Sequence, residues 1–109
     1  MRAWPVVVLV LFYGASAAAA ETWGQVRTRE AQEAIQFIND ATKAGGQIAR
    51  SKVVAAQTAW IAYRDAVCEY VASTGEGADG PAAHGKAMED CLIAKTKAHI
   101  DELRQLPRP

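Results

Sequence analysis

Residues 53–68 read VVAAQTAWIAYRDAVC, a run that contains neither glycine nor proline. Placed on a helix at 100° per residue, its apolar residues collect on one side together with two polar residues. This expected buried face consists of Val53, Gln57, Trp60, Arg64, Cys68 and Val71, and it is widened by Val54, Ile61 and Val67. An unpaired amide or guanidinium on a buried face destabilises the folded state. We therefore expect Gln57 and Arg64 to have specific partners.

Arg64 lies one helical turn after Trp60, so its guanidinium is expected to lie over the indole ring as a cation–π contact. The planar guanidinium also carries several hydrogen-bond donors. We expect these to reach Thr96, a backbone carbonyl, or a carboxylate of a preceding helix such as Glu30 or Glu33.

A first helix is predicted before this run. Thr22 and Gln25 have the spacing of a capping box, and the pair Gly45-Gly46 breaks or kinks the helical pattern. Between these points, apolar residues recur at helical spacing: Trp23, Val26, Ala34, Phe37, Ile38 and Ala41.

The quoted run belongs to a second predicted helix, residues 47–73, and a third helix follows it. Residues 74–80, TGEGADG, predict a flexible loop, and Pro81 suits the first turn of a helix that ends near Leu106. The apolar face of the third helix again includes polar residues: Met88, Leu92, Thr96, His99, Ile100, Leu103 and Leu106. No segment alternates in the manner of a strand.

The first twenty residues are typical of a secretory signal. Arg2 precedes an apolar run at residues 6–13 and a small-residue exit that ends in Ala20, so cleavage is expected before Glu21. The alternative is an uncleaved anchor. The residue directly after the cleavage point is Glu21 and not a cysteine, which argues against a lipoprotein. We expect an exported protein, periplasmic or secreted, with a signal peptide at 1–20, an N-terminal helix at 21–46 and a helical hairpin at 47–109, the last two forming one domain.

Cys68 and Cys91 are expected to pair in a disulfide, because the protein is expected to be exported and the two residues flank a helical hairpin. The fold class is then all-α: a small three-helix bundle, or a disulfide-stapled antiparallel hairpin with a third helix across it. Counting outward from the disulfide places Trp60 near His99, Gln57 near Glu102, and Arg64 near Lys95 and Thr96. The alternative is zinc held by Cys68, Cys91, His84 and His99, but these residues lack the usual ligand spacing.

Composition argues against several function classes. Lys+Arg and Asp+Glu are equal at 12 each, which disfavours nucleic-acid binding. No nucleophile accompanies His99 as a candidate general base, Asp65 and Glu69 are expected to be solvated, and the glycine-rich segment lacks the context of a phosphate loop. We expect no enzymatic activity, no metal and no cofactor.

The residues QTAWIAYRDAVC at 57–68, a second cysteine at Cys91, and TKAHIDEL at 96–103 resemble the LprI-like family of small exported bacterial proteins. The positions that fit the family pattern are Gln57, Trp60, Tyr63, Arg64, Asp65, Cys68, Cys91, Thr96 and Leu103. The resemblance covers residues 53–106. His99 stands where the family commonly has arginine, and the region before Gly45 lacks the extra cysteine pair of many members. Because several motif residues share one helix face, the motif is expected mainly to maintain the fold.

The resemblance implies an interaction protein that inhibits a lysozyme. The candidate contact is the hairpin tip, where Glu76 and Asp79 could meet cationic residues around the enzyme's cleft, although an ordinary exposed turn has the same composition. A second hypothesis is a structural or scaffold module of the cell envelope that binds another exported protein through Tyr63 and Tyr70. A third, a hydrolase, requires a cleft that three short helices can hardly enclose.

Overall fold

The computed structural model describes residues 20–107, so the predicted signal segment lies outside the described residues except for Ala20. This range contains two α-helices, which we name α1 (Trp23–Ala72) and α2 (Pro81–Gln105), and a short 3-10 helix (Gly75–Asp79) between them. Residues 20–107 contain no strand. The all-helical prediction is therefore confirmed.

Helix α1 is folded back on itself at Gly46. This residue has φ 67° and ψ −155°, a backbone conformation that glycine adopts without the strain of a Cβ atom. Glu30 and Gln57 share a hydrogen bond although they are 27 residues apart. In a straight helix they would be separated by about 40 Å, so α1 consists of two antiparallel arms. We name them the first arm (23–45) and the second arm (47–72).

The number of helices differs from the prediction in one respect. The sequence predicts separate first and second helices divided at Gly45-Gly46, whereas Trp23–Ala72 is a single element in which only Gly46 leaves the helical conformation. The three-helix bundle is thus not confirmed in the form predicted. The reason is local, because one residue with positive φ is sufficient to reverse the chain direction.

The predicted starts of the first and third helices are confirmed. The backbone N–H of Gln25 donates to the Thr22 hydroxyl at 3.2 Å, and the Gln25 side chain accepts from the Thr22 backbone N–H at 2.9 Å, which completes the capping box. Pro81 occupies the first turn of α2. The last residue of α2 is Gln105, one residue before the predicted end near Leu106. Leu106 caps the helix and has an extended backbone conformation.

The Cys68–Cys91 disulfide is confirmed and joins the second arm to α2, with a Cα–Cα distance of 5.5 Å. This pairing leaves neither thiol free to bind zinc, so the alternative metal site loses two of its four ligands. Within residues 20–107, no group of three or more histidine, cysteine or acidic side chains could hold a metal ion.

The hydrophobic core joins the first arm to α2 and to the start of the second arm. Its buried cluster consists of Ala34, Phe37, Ala41 and Leu103, with Ala49 and Val53 packed against it. Val26 and Ile100 are also buried. On the first arm, the predicted apolar face therefore corresponds to the core, with Trp23 and Ile38 half-buried at its margin.

The predicted buried face of the second arm is too wide. Val54, Ile61 and Val71 are 39%, 36% and 42% exposed, because the first arm and α2 cover only the side that carries Arg64 and Cys68. Leu106 is 40% exposed for a different reason, since its extended backbone takes its side chain out of the helical periodicity.

Candidate functional site

The inner side of the second arm carries a column of alternating cations and aromatic rings. The guanidinium of Arg64 lies 5.1 Å from the Trp23 ring centroid and 5.3 Å from that of Trp60. Arg27 lies over Trp23 at 5.8 Å, and Trp60 stacks on His99. The expected contact between Arg64 and Trp60 is confirmed, as is the neighbourhood of Trp60 and His99.

The hydrogen-bond partners predicted for Arg64 are wrong. Its Nε donates to Asp65 Oδ1 at 2.9 Å, and Nη2 lies 2.9 Å from the same oxygen. The expected carboxylates are bonded elsewhere: Glu30 accepts from Gln57, and Glu33 accepts from Arg104 at 2.9 Å. The Thr96 hydroxyl is buried and has no hydrogen-bond partner within residues 20–107.

Asp65 was expected to be a solvated charge. Its side chain is 53% exposed, so it reaches solvent and still accepts from the buried Arg64, whose side chain is 8% exposed. Since the two indoles lie near the guanidinium of Arg64, its N–H groups donate to Asp65, the next residue in the chain. This pair connects the inner column to the surface of the second arm.

A polar chain crosses from the first arm to α2. The Gln57 amide donates through Nε2 to Glu30, and its Oε1 lies 2.8 Å from His99 Nε2. His99 Nδ1 lies 3.1 Å from Glu102 Oε1. Gln57 was expected near Glu102, and the connection between them passes through His99. Because an ionised carboxylate only accepts, the Gln57 amide nitrogen faces Glu30, and its oxygen therefore accepts from the N–H of His99 Nε2.

The chemistry open to His99 follows from these contacts. It is buried, and both ring nitrogens face oxygen atoms of other side chains. A general base needs a ring nitrogen directed at a substrate proton. The depression beside His99, lined in part by Trp60, Tyr63 and Glu102, has a volume of about 170 Å³, below the usual size of ligand pockets, about 300 to 1,000 Å³. The arrangement is suited to packing rather than to proton transfer.

The hairpin tip is ordered as a 3-10 helix, in place of the flexible loop that the sequence predicts. Gly77 explains this order, because it is buried and a Cβ atom at its position would lie 2.2 Å from the backbone oxygen of Ala72. Glu76 and Asp79 are exposed, and neither carboxylate has a hydrogen bond or ion pair within residues 20–107. The tip therefore presents two carboxylates on a fixed backbone.

Two further polar predictions concern the base of the tip. His84, named above as a possible zinc ligand, has a side chain that is 37% exposed, with Nε2 3.3 Å from Glu69 Oε1. Glu69, expected to be solvated, is 60% exposed and shares this contact. The pair links the end of α1 to the start of α2 close to the disulfide.

Tyr63 and Tyr70 lie on the outward side of the second arm. They are 57% and 70% exposed, and neither belongs to the inner column. Beside the disulfide, between Val71 and the row Ala87, Ala94 and Ala98, there is an open apolar groove of about 600 Å³. The charged residues that line it are Asp90 and Lys95.

A family model described as lysozyme inhibitor LprI matches residues 14–103. This chain belongs to the LprI family. No curated protein and no solved structure matches it.

The LprI match is longer than the resemblance from residue 53 onward, since it includes the whole first arm. The structure gives a physical reason for that extension, because Trp23 and Glu30 of the first arm contact the motif residues Arg64 and Gln57. Sequence reasoning placed Trp23 on the apolar face of the first helix but missed its contact with Arg64. Within residues 20–107, neither α-helix contains a stretch long and apolar enough to cross a membrane.

Proposed function

We propose that this LprI-family chain is exported, loses residues 1–20, and inhibits a lysozyme without catalysing a reaction. The observation that carries the proposal is the pair of exposed carboxylates, Glu76 and Asp79, on a 3-10 helix held against the end of α1. We propose that these two residues contact cationic side chains around the enzyme's cleft. The partner is thus a basic protein surface.

The fixed backbone of the tip supports this role. Gly77 packs closely on Ala72, and Cys68–Cys91 joins the two helices that carry the tip. A contact surface that is already ordered loses little conformational entropy when it binds. Removal of residues 1–20 takes away Arg2 and no acidic residue, so the remaining chain has 11 basic and 12 acidic residues. Long-range attraction is therefore weak, and affinity must come from local fit.

The absence of catalysis is supported by His99, the histidine of the inner column. Both of its ring nitrogens are engaged by Gln57 and Glu102, and the depression beside it is small. The motif residues around it contact one another. We propose that they maintain the fold that presents the tip.

We also propose that the two arms and α2 form a three-helix bundle in solution. One contact joins each pair: Glu30 with Gln57 between the arms, Gln57 with His99 between the second arm and α2, and Glu33 with Arg104 between the first arm and α2. Nuclear Overhauser effects between Phe37 and Leu103, which share the core cluster, would test it. Their absence in the folded chain would contradict the bundle.

The test of inhibition is the clearing of bacterial cell-wall suspensions by a c-type lysozyme, with increasing amounts of the exported, oxidised chain. Saturable inhibition is expected. A variant with Glu76→Ala and Asp79→Ala should lose most of it, whereas the matched variant with Glu89→Ala and Asp101→Ala, which removes two exposed carboxylates of α2, should inhibit as the parent does. No inhibition at large excess would contradict the proposed function, and full inhibition by the tip variant would contradict the proposed contact.

A scaffold module of the envelope is the second candidate, and the exposure of Tyr63 and Tyr70 favours it. Aromatic residues are enriched in protein interfaces. This candidate predicts a stable exported partner whose capture is lost in a variant with Tyr63→Ser and Tyr70→Ser, and it predicts no effect on lysozyme. The two assays together separate the candidates.

A further inference from the structure

The outward side of the second arm is unusual for a helix face in water. Between Lys52 and Arg64 the chain has no charged residue. The solvent face of a helix in a small protein normally carries charged and polar side chains. Here the positions that point away from the inner column form a row at helical spacing, every member of which is exposed: Lys52, Ala55, Ala59, Ala62, Ala66 and Glu69. We name it the outward row.

We propose that the outward row is an interface with a second copy of this chain, in which the two second arms pack antiparallel about a twofold axis. Small side chains allow helix axes to approach closely, at about 8 to 10 Å or less. The axis passes between Ala59 and Ala62, so that Ala59 of each copy lies opposite Ala62 of the other copy. Ala55 then lies opposite Ala66.

The charges at the two ends of the outward row select this arrangement. Lys52 and Glu69 are equally distant from the midpoint between Ala59 and Ala62, so an antiparallel pair places each lysine opposite a glutamate. The twofold symmetry forms this ion pair twice. A parallel pair would place lysine opposite lysine and glutamate opposite glutamate, which is repulsive. Charge complementarity therefore favours a second copy of the same chain, in one orientation.

The polar groups on this face are compatible with burial. The Thr58 hydroxyl donates to the backbone oxygen of Val54 at 2.9 Å, so it needs no partner from the second copy. Glu69 contacts His84 through one oxygen and remains 60% exposed. Tyr63 and Tyr70, 57% and 70% exposed, flank the row and would extend the apolar contact. The row spans about 26 Å of helix.

This interface is independent of the proposed inhibition, because Glu76 and Asp79 lie in the 3-10 helix beyond the row. An antiparallel dimer would place the two hairpin tips at opposite ends. Each copy would then remain free to bind its own target molecule, and failure of one proposal would leave the other intact.

Sedimentation equilibrium of the exported, oxidised chain over a wide concentration range tests the proposal. We expect a reversible dimer. The variant with Ala59→Glu and Ala62→Glu should raise the dissociation constant by more than about tenfold, because it buries unpaired like charges at the axis. The control variant with Ala31→Glu and Ala82→Glu, at exposed alanines of the first arm and of α2, should dimerise as the parent does. Circular dichroism should show that both variants keep their helicity.

A charge exchange tests the orientation. At low ionic strength, Lys52→Glu and Glu69→Lys should each weaken the dimer, and the double variant should regain the parent's dissociation constant. A chain that remains monomeric at every concentration would overturn the proposal. So would a dimer that is insensitive to Ala59→Glu with Ala62→Glu, or one whose single charge variants behave as the parent does.

Discussion

The imidazole ring of His99 lies flat against the indole ring of Trp60, with 3.6 Å between the ring centroids and 8° between the planes. The contact joins α2 to the second arm, and the same indole receives the guanidinium of Arg64. Trp60 therefore contacts both His99 and Arg64, two polar residues that the sequence places on buried helix faces. Its loss should affect both.

Trp60→Ala is expected to lower the free energy of unfolding by about 3 kcal/mol, the usual size for removal of a large packed aromatic. His99→Phe keeps the stack but leaves the Gln57 carbonyl oxygen without its donor, which should cost about 1 to 3 kcal/mol. Urea denaturation of both variants measures these values. A Trp60→Ala variant within about 0.5 kcal/mol of the parent would contradict the stack's structural role.

Arg64 should depend on its planar guanidinium more than on its charge. Arg64→Ala is expected to cost at least about 2 kcal/mol, and Arg64→Lys should recover only part of this, since an ammonium does not stack between two indoles. Asp65→Asn is the matched control and should cost less than about 1 kcal/mol, because the Asp65 side chain is half exposed. If Asp65→Asn destabilises as much as Arg64→Ala, the ion pair and not the stack is the main contribution.

The contact of Arg64 with Trp60 and the neighbourhood of Trp60 and His99 could be predicted from sequence for two separate reasons. Residues four apart on a helix share a face, which placed Arg64 over Trp60. The Cys68–Cys91 disulfide fixes the register of α2 against the second arm, and counting from it placed Trp60 near His99. Both arguments use constraints that the sequence itself contains.

The other contacts depend on the register of the first arm, which no cross-link fixes. The chain reverses at Gly46, but periodicity does not give the offset at which the two arms then pack. Trp23 was therefore missed as a partner of Arg64, and Glu30 was assigned to Arg64 instead of Gln57. Periodicity likewise shows that a face is apolar without showing what covers it, which is why Val71 was predicted to be buried.

Gly77 should be intolerant of any side chain. A Cβ atom there would lie 2.2 Å from the Ala72 backbone oxygen, so Gly77→Ala must displace the 3-10 helix from the end of α1. We expect a loss of about 1 to 3 kcal/mol, comparable to other overpacking substitutions. Gly85→Ala is the matched control, because nothing lies within 4 Å of the added methyl. As a helix-interior glycine, it should gain about 0.5 to 1 kcal/mol.

The same pair of variants bears on the tip. If the order of the tip underlies inhibition, Gly77→Ala should weaken inhibition of lysozyme while Gly85→Ala leaves it unchanged. A Gly77→Ala chain that matches the stability of the parent would mean that the tip does not pack on Ala72 in solution.

Glu21 forms ion pairs with a residue of the first arm and a residue of α2. Its two carboxylate oxygens accept from Arg29 at 2.7 and 2.6 Å, and Lys97 Nζ lies 3.9 Å away. The hydrogen bonds from Arg29 hold the pKa of Glu21 below its ordinary value of 4.5; desolvation opposes them, and the positive charges of Arg29 and Lys97 add to the lowering. The folded chain therefore favours the ionised form of Glu21 more than the unfolded chain does.

The stability contributed by Glu21 should consequently depend on pH in one direction. It is fully present above the ordinary pKa of a glutamate and is lost as the pH falls through the lower folded value. Glu21→Gln should lower the Tm at neutral pH, and its difference from the parent should vanish in acid. Glu76→Gln is the control, because Glu76 has no ion pair within residues 20–107, and it should leave the Tm unchanged at both pH values. Thermal unfolding followed by circular dichroism measures both. A Tm difference for Glu21→Gln that persists in acid would show that the carboxylate's charge is not its source.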